Sequence, residues 1–339
     1  MLDESTGRGG RRDVNGCTRI VGPRAPEGAR REAPLGPREA FLVAYERLTL
    51  LMQIASGPAF VVAAVDTSAR VTSSLLLLDR RALIVGRHTQ CGLRIEDDTV
   101  ALRQVAALVR CEDGRPVVHL RDLGTAVPFI TEDGSASAGV IADGPLYITM
   151  GSVAVWFLPC ARPSAPLRAE EAWNALAPRT FLDRRAPVDG VRPALVAAPS
   201  PPPRPRGLHG EGTTITRVTA PLLLGEDDDQ EVAWGTLKLD SGARRVRRAV
   251  SAERLEQGIL LGRYGRCSLL IESPENTVSR VHVLLIRLGV EVWIIDTAST
   301  NGVMRGDDEV HAEVLRDVDT LTLGREVTLE WQRIQHAEA

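Results

Sequence analysis

Gly262-Arg263, then Val278-Ser279-Arg280-Val281-His282, then Asp296-Thr297-Ala298-Ser299-Thr300-Asn301-Gly302 are the stretches whose reading decides the fold. Apolar runs of strand length surround them: Gly258–Leu261, Leu269–Ile271, His282–Leu288 and Val292–Ile295. Such runs, separated by polar and glycine-bearing turns, predict β-strands joined by short loops. An arginine, a serine, a threonine and an asparagine therefore stand at strand ends, where loops expose polar side chains. Working outward, Val232–Leu239, Arg244–Val250, Thr320–Leu323 and Val327–Trp331 continue the pattern. In the last run Val327, Leu329 and Trp331 alternate with Thr328, Glu330 and Gln332, so one face is buried and the other wet.

The pattern occurs twice. Upstream lie Phe60–Val65, Ser73–Leu78, Ala82–Val85, Val105–Arg110, Val117–Leu120, Tyr147–Met150 and Ala154–Leu158, with turns at Asp113-Gly114, Asp133-Gly134 and Asp143-Gly144. Gly86-Arg87 with Cys91 repeats Gly262-Arg263 with Cys267. Leu102-Arg103-Gln104-Val105 then falls on Ser279-Arg280-Val281-His282, Asp122–Phe129 on Asp296–Val303, and Gly151 on Gly324. The expected organisation is a disordered 1–35, a helix over 36–56, a β-sandwich over 59–160, a linker over 161–230 and a second sandwich over 231–335. The helix is expected because Pro37 suits a first turn and Phe41, Tyr45, Leu48, Met52 and Ala55 share one face, which packs on the domain that follows. The linker is read from Pro, Ala and Arg enrichment around Pro201–Arg206, which favours an extended spacer. Thr213, Thr214 and Thr216 in that spacer are candidate kinase targets.

Composition removes several classes of function. Among 339 residues the net charge is -3, with 4% aromatics, so no basic, base-stacking surface for nucleic acid is expected. No apolar run is long enough to cross a membrane, and no signal peptide is visible, which together give a cytoplasmic expectation without membrane insertion. The odd number of cysteines, none in a CxxC pair, argues against a disulfide framework. The histidines are scattered without metal-ligand spacing. No nucleophile–base pair appears, so no enzyme, catalytic residue, metal or cofactor is expected.

What the polar loops suit is a phosphate with the peptide beside it. A phosphothreonine carries roughly -1.5 to -2 charges and three strong acceptor oxygens. Arg263 offers a planar multi-donor cation, and Ser279 and Thr300 offer hydroxyls. The Arg280 backbone adds an N–H. Asn301 carries an amide able to donate to and accept from a main chain, and Gly302 permits the turn that aims it. His282 is expected to brace the Ser279 loop rather than touch ligand.

The order Gly262-Arg263, Ser279-x-x-His282, Ser299-Thr300-Asn301-Gly302 and Leu321-Thr322-Leu323-Gly324 resembles the forkhead-associated (FHA) domain family over about residues 231–335. The resemblance implies an all-β fold, here two FHA-type sandwiches on a proline-rich linker, each eleven-stranded, and phosphothreonine-peptide recognition. It implies phosphate contacts at Arg263, Ser279 and Thr300, a backbone contact at Asn301, and structural support from Gly262, His282 and Gly302. Arg280 stands where the family often has asparagine, and neutral Thr277 stands at a position that can be basic. Specificity is expected in loop residues such as Arg305, Asp307 and Asp308. Residues 59–160 resemble the family more weakly. Arg87 is kept, but the serine, histidine, asparagine and glycine positions are read as Leu102, Val105, Val127 and Pro128. Each missing charge-assisted bond costs about 1.5–3 kcal/mol, so this copy is read as having lost phosphate recognition. The expected function is a non-catalytic adaptor in Ser/Thr kinase signalling whose partner is a Thr-phosphorylated protein, a Ser/Thr kinase among the candidates. The alternative is a phosphate-independent scaffold subunit of a secretion or envelope assembly.

Overall fold

Val105-Ala-Ala-Leu-Val109 and Val283-Leu-Leu-Ile286 have no polar residue on either side of the strand, and strands of that kind are buried on both faces. The computed structural model of the chain shows why. It describes residues 33–160, 168–184, 212–219 and 232–334, apart from 243 and 274. Among these residues two β-sandwiches are present, each a pair of sheets.

In the second sandwich, one sheet runs in spatial order Arg245–Ser251, Ala233–Asp240, Val327–Arg333, Val318–Leu323, Val303–Arg305, Asp308–Glu309. The facing sheet runs Leu269–Leu270, Ile259–Gly262, Val283–Leu288, Glu291–Asp296, Ala312–Val314. The first sandwich repeats this order. Its outer sheet runs Val71–Leu78, Ala59–Val65, Val153–Pro159, Leu146–Met150, Phe129–Thr131, Ala136–Ser137. Its other sheet runs Leu93–Arg94, Ala82–Gly86, Val105–Glu112, Arg115–Asp122, Gly139–Ala142, then two added strands. The inward residues of each pair form separate cores, one around Phe60, Val85, Leu120 and Phe157, the other around Leu237, Leu285, Ile294 and Trp331.

The added strands, Thr213–Arg217 and Arg179–Asp183, come from the stretch expected to be spacer. Thr213–Arg217 pairs antiparallel with Gly139–Ala142, and Arg179–Asp183 lies parallel beside it. Ile215 enters the first core, and Thr213 and Thr216 are buried. These two threonines are therefore out of a kinase's reach in the folded protein, which corrects their reading as phosphorylation targets. A short helix, Ala169–Asn174, stands on the same side. The proline run and most of residues 1–35 lie outside the described residues.

The two sandwiches also pack back to back. Leu284, Ile286, Leu288, Trp293 and Ile295 point away from their own core and meet Ile84, Ala106, Leu108 and Leu123 of the first sandwich. Cys91 and Cys267 are buried in the same layer. At its edge Glu291 pairs with both Arg80 and Arg110, whose guanidiniums lie 4.9 and 5.4 Å from the Trp293 ring centre. On the far face, helix Pro37–Ile54 buries Ala40, Phe41, Ala44 and Leu48 against Val61, Ala63 and Trp156. The Trp156 indole N–H donates to the Pro37 carbonyl at 3.2 Å, fixing where the helix begins. The expected helical face is thus covered by its own neighbouring domain.

Candidate functional site

Gly262 ends a strand, and its lack of a side chain sets the site. A Cβ there would collide with the Arg280 carbonyl, a backbone atom that has no room to yield. Through that close approach Arg263 N–H donates to the Ser279 carbonyl at 3.2 Å and Tyr264 N–H to the Arg280 carbonyl at 3.0 Å. The arginine loop and the serine loop are thereby one rigid rim.

His282 ties that rim to the next loop. It is fully buried. Its Nδ1 accepts the Ser279 N–H at 2.9 Å and its Nε2–H donates to the Gly302 carbonyl at 2.9 Å. One nitrogen accepting and one donating describe a neutral imidazole, and burial lowers its pKa to about 4. This is the bracing role expected of it. The Gly302 carbonyl also accepts the Gly324 N–H at 3.1 Å, and Gly302 has φ 73°, the left-handed region that favours glycine.

The third loop turns on Asp296. Its carboxylate accepts the Ser299 N–H at 3.1 Å, and burial raises its pKa. Ala298 sits at φ 60°, an unusual value for alanine. The turn delivers Thr300 to Ser279, whose hydroxyl accepts the Thr300 N–H at 3.0 Å and lies 3.5 Å from the Thr300 hydroxyl. Asn301 spends one amide hydrogen on the Thr277 carbonyl at 2.7 Å, leaving its Oδ1 and second amide hydrogen for another group. Thr277 is itself held by Glu326, its hydroxyl donating at 3.0 Å.

Arg263, Ser279, Arg280, Thr300 and Asn301 thus gather on adjoining loops, with Gly262, His282 and Gly302 beneath. Arg263, Arg280 and Thr300 are exposed. Among the described residues neither arginine is paired with a carboxylate. Arg305 is differently placed. Its guanidinium binds both oxygens of Asp319, at 3.1 and 2.8 Å, and also pairs with Glu313, so it is committed within the fold. Asp307 and Asp308 are exposed.

The first sandwich holds the same framework with different side chains. Arg87 N–H donates to the Ala101 carbonyl, and His88 N–H to the Leu102 carbonyl. Hence Ala101 and Leu102 match Ser279 and Arg280. The register inferred from sequence, which placed Leu102 on Ser279 and Val105 on His282, is off by one residue because the loop is shorter in this copy. Gln104 takes the place of His282. Its Oε1 accepts the Ala101 N–H at 3.1 Å and its Nε2 donates to the Val127 carbonyl at 3.1 Å. A glutamine amide reproduces the imidazole's acceptor and donor, which is the signal sequence inspection passed over. Asp122 matches Asp296, accepting the Thr125 N–H at 2.7 Å, and burial raises its pKa to about 6. Counting from that turn, Ala126 matches Thr300 and Val127 matches Asn301, so both hydroxyls and the amide are missing here.

The two copies touch at these loops. Arg103 Nε of the first donates to the Ala298 carbonyl of the second at 2.8 Å. Gln90, with its amide nitrogen turned that way, donates to the Ala298 and Ser299 carbonyls at 3.2 Å. Nothing in the sequence pointed to either contact. Among the described residues no cluster of His, Cys, Asp and Glu is placed to hold a metal, and no helix is long and apolar enough to cross a membrane.

Residues 259–324 match the FHA domain family. No curated protein matches the chain. Among solved structures, the Slr1951 protein from Synechocystis sp. is 23% identical, covering 30% of this chain and 99% of its own, with a TM-score of 0.27. The Mycobacterium tuberculosis Rv1747 FHA-1 domain is 20% identical, covering 30% of this chain and 100% of its own, with a TM-score of 0.25. Mycobacterium tuberculosis EmbR, solved with a low-affinity phosphopeptide, is 20% identical, covering 33% of this chain and 27% of its own, with a TM-score of 0.25.

Proposed function

We propose that, through the FHA domain at residues 259–324, this chain works as a non-catalytic phosphothreonine-peptide reader, an adaptor in cytoplasmic Ser/Thr kinase signalling. Its partner is a Thr-phosphorylated protein, a Ser/Thr kinase among the candidates. The observation that carries the reading is the Ser279–Thr300 contact flanked by Arg263 and Arg280. Two adjacent hydroxyls and the Arg263 guanidinium, which has no carboxylate partner among the described residues, form a donor set with no matching negative charge of its own. A phosphate dianion supplies that charge, and each charge-assisted bond to it is worth about 1.5–3 kcal/mol. A plain carboxylate offers fewer oxygens and less charge.

Asn301 supplies the peptide part of the recognition. Its bond to Thr277 fixes the amide plane, so its free Oδ1 meets an incoming main-chain N–H without further ordering. The carboxylate of Glu326 beside Thr277 disfavours an acidic peptide residue there. The test is a capture experiment on a kinase-treated lysate, with and without phosphatase. Partners lost on dephosphorylation support the reading. Partners that survive it point instead to a phosphate-independent scaffold.

A further inference from the structure

Between the two sandwiches lies a cleft of about 250 Å³. Its wall from the first sandwich is the set that matches the phosphate site of the second: Arg87, Ala101, Leu102, Thr125 and Ala126 line it. Where the second copy has Ser279 and Thr300 hydroxyls, this copy has the methyl groups of Ala101 and Ala126. The opposite wall replaces the lost donors. Arg266, Arg280 and Tyr264 of the second sandwich face into the cleft, and Arg103 lines it as well.

Four arginines therefore converge on one volume large enough for a phosphate group, and no carboxylate lines it. Three acids stand just outside the lining. Asp122 binds Thr125, Asp296 binds Ser299, and Asp98 sits 3.9 Å from Arg87 on a fully exposed side chain. Arg103 is drawn partly away by the Ala298 carbonyl, and Arg266 lies 5.8 Å from the Tyr264 ring centre. Burial disfavours the charge on Arg103, with Cys91 and Asp296 opposing that effect and Arg280 adding to it. Four guanidiniums against three carboxylates that stand outside the lining leave an excess of positive charge at the cleft, which an anion relieves.

We propose that the first sandwich has not lost anion recognition but shares it: the cleft is a composite site for a second phosphorylated residue on the same partner. Arg87 and Arg103 come from one copy, Arg266 and Arg280 from the other. Arg280 lines the cleft and directly follows Ser279 in the chain, which links the cleft to the site of the second sandwich. The identity of the ligand's chain rests on the phosphothreonine reading above; the existence of an anion site does not.

The experiment titrates the full chain with synthetic peptides carrying one phosphothreonine, and with the same peptides carrying a second phosphothreonine at a series of spacings on either side. At one spacing the second phosphate tightens binding at least tenfold. Arg87→Ala and Arg266→Ala each remove most of that gain and leave the singly phosphorylated peptide unchanged. Both side chains are exposed, and unchanged thermal unfolding confirms that the variants fold. A gain at no spacing, or a gain that survives in the double variant, overturns the proposal. If singly phosphorylated peptides do not bind at all, the phosphothreonine reading fails on its own. Inorganic phosphate titrated into the Ser279→Ala chain then decides for the cleft. Binding abolished by Arg87→Ala and Arg266→Ala supports an anion site, and no binding overturns it. Inorganic phosphate binding without any gain from a second phosphothreonine overturns the assignment to a phosphorylated residue.

Discussion

Replacing His282 separates the brace from the ligand contacts. In His282→Ala the Ser279 N–H loses its sole acceptor among the described residues, which costs about 1–3 kcal/mol. The Gly302 carbonyl keeps the Gly324 N–H, so its loss is smaller, about 0.5–1.5 kcal/mol. Together the variant loses roughly 2–4 kcal/mol. His282→Gln behaves otherwise. Gln104 already makes a comparable pair of bonds in the first sandwich, at 3.1 Å each, its donor reaching the Val127 carbonyl one position before the match of Gly302, so this variant keeps most of the stability. The two also differ in pH response. The folded-state pKa of His282 lies at about 4, below the ordinary 6.5, so the unfolded chain takes up the proton first. The stability His282 provides is complete above pH 6.5 and is lost as pH falls from there toward 4. Each pH unit in that window costs up to about 1.4 kcal/mol, so the whole fall is on the order of 3 kcal/mol. Urea denaturation of the wild type and both variants at several pH values measures this. As pH falls across that window the wild type loses its small advantage over His282→Gln and becomes the less stable of the two, and His282→Ala is the weakest at neutral pH. Equal losses in the two variants, or a pH-independent difference, would refute a neutral bracing imidazole.

Other perturbations address the remaining parts. Arg103→Ala removes the bond across to Ala298 and is expected to weaken a singly phosphorylated peptide by about tenfold, without a contact to it; calorimetry measures this, and unchanged affinity contradicts the bracing. Leu284→Ala opens the layer between the sandwiches at a cost of about 2–5 kcal/mol, seen in denaturation, because Leu284 packs there and not in its own core. Gly262→Ala forces a Cβ into the Arg280 carbonyl and is expected to abolish phosphopeptide binding, while Gly265→Ala, which has open space, leaves it intact.

The strands near the site were legible because short apolar runs of strand length end in polar and glycine-bearing turns. The loops were legible because Gly262-Arg263, Ser279-x-x-His282 and Ser299-Thr300-Asn301-Gly302 follow one another in the order that resembles the FHA family. Three things were not. Val283–Ile286 and Val292–Ile295 announce burial on both faces, but a single strand does not say what covers the second face. Here it is a second copy of the same sheet. Thr213–Arg217 is a short strand with one apolar residue, Ile215, inside a stretch read as spacer from its composition, and that composition masked it. The register of the first copy slipped because Arg103 resembles Arg280 by identity. Hydrogen bonding instead pairs Gln104 with His282, and frees Arg103 to reach Ala298.

That last difference changes how the first copy is understood. Losing two hydroxyls and an amide removes an independent phosphate site, as its sequence suggests. It does not remove the positive charge, which the packing of one sandwich on the other concentrates between them. A sequence comparison of loops one copy at a time has no access to that pairing.

The central claim is that Ser279 and its neighbours read a phosphate on threonine. Isothermal titration of the full chain with a library-selected phosphothreonine peptide, and with the same peptide unphosphorylated, tests it most directly. Binding is expected to the phosphorylated form alone, weakened at least a hundredfold by Arg263→Ala or Ser279→Ala with unfolding curves near the wild type's. Equal binding of the two forms, or full affinity in both variants, would contradict it.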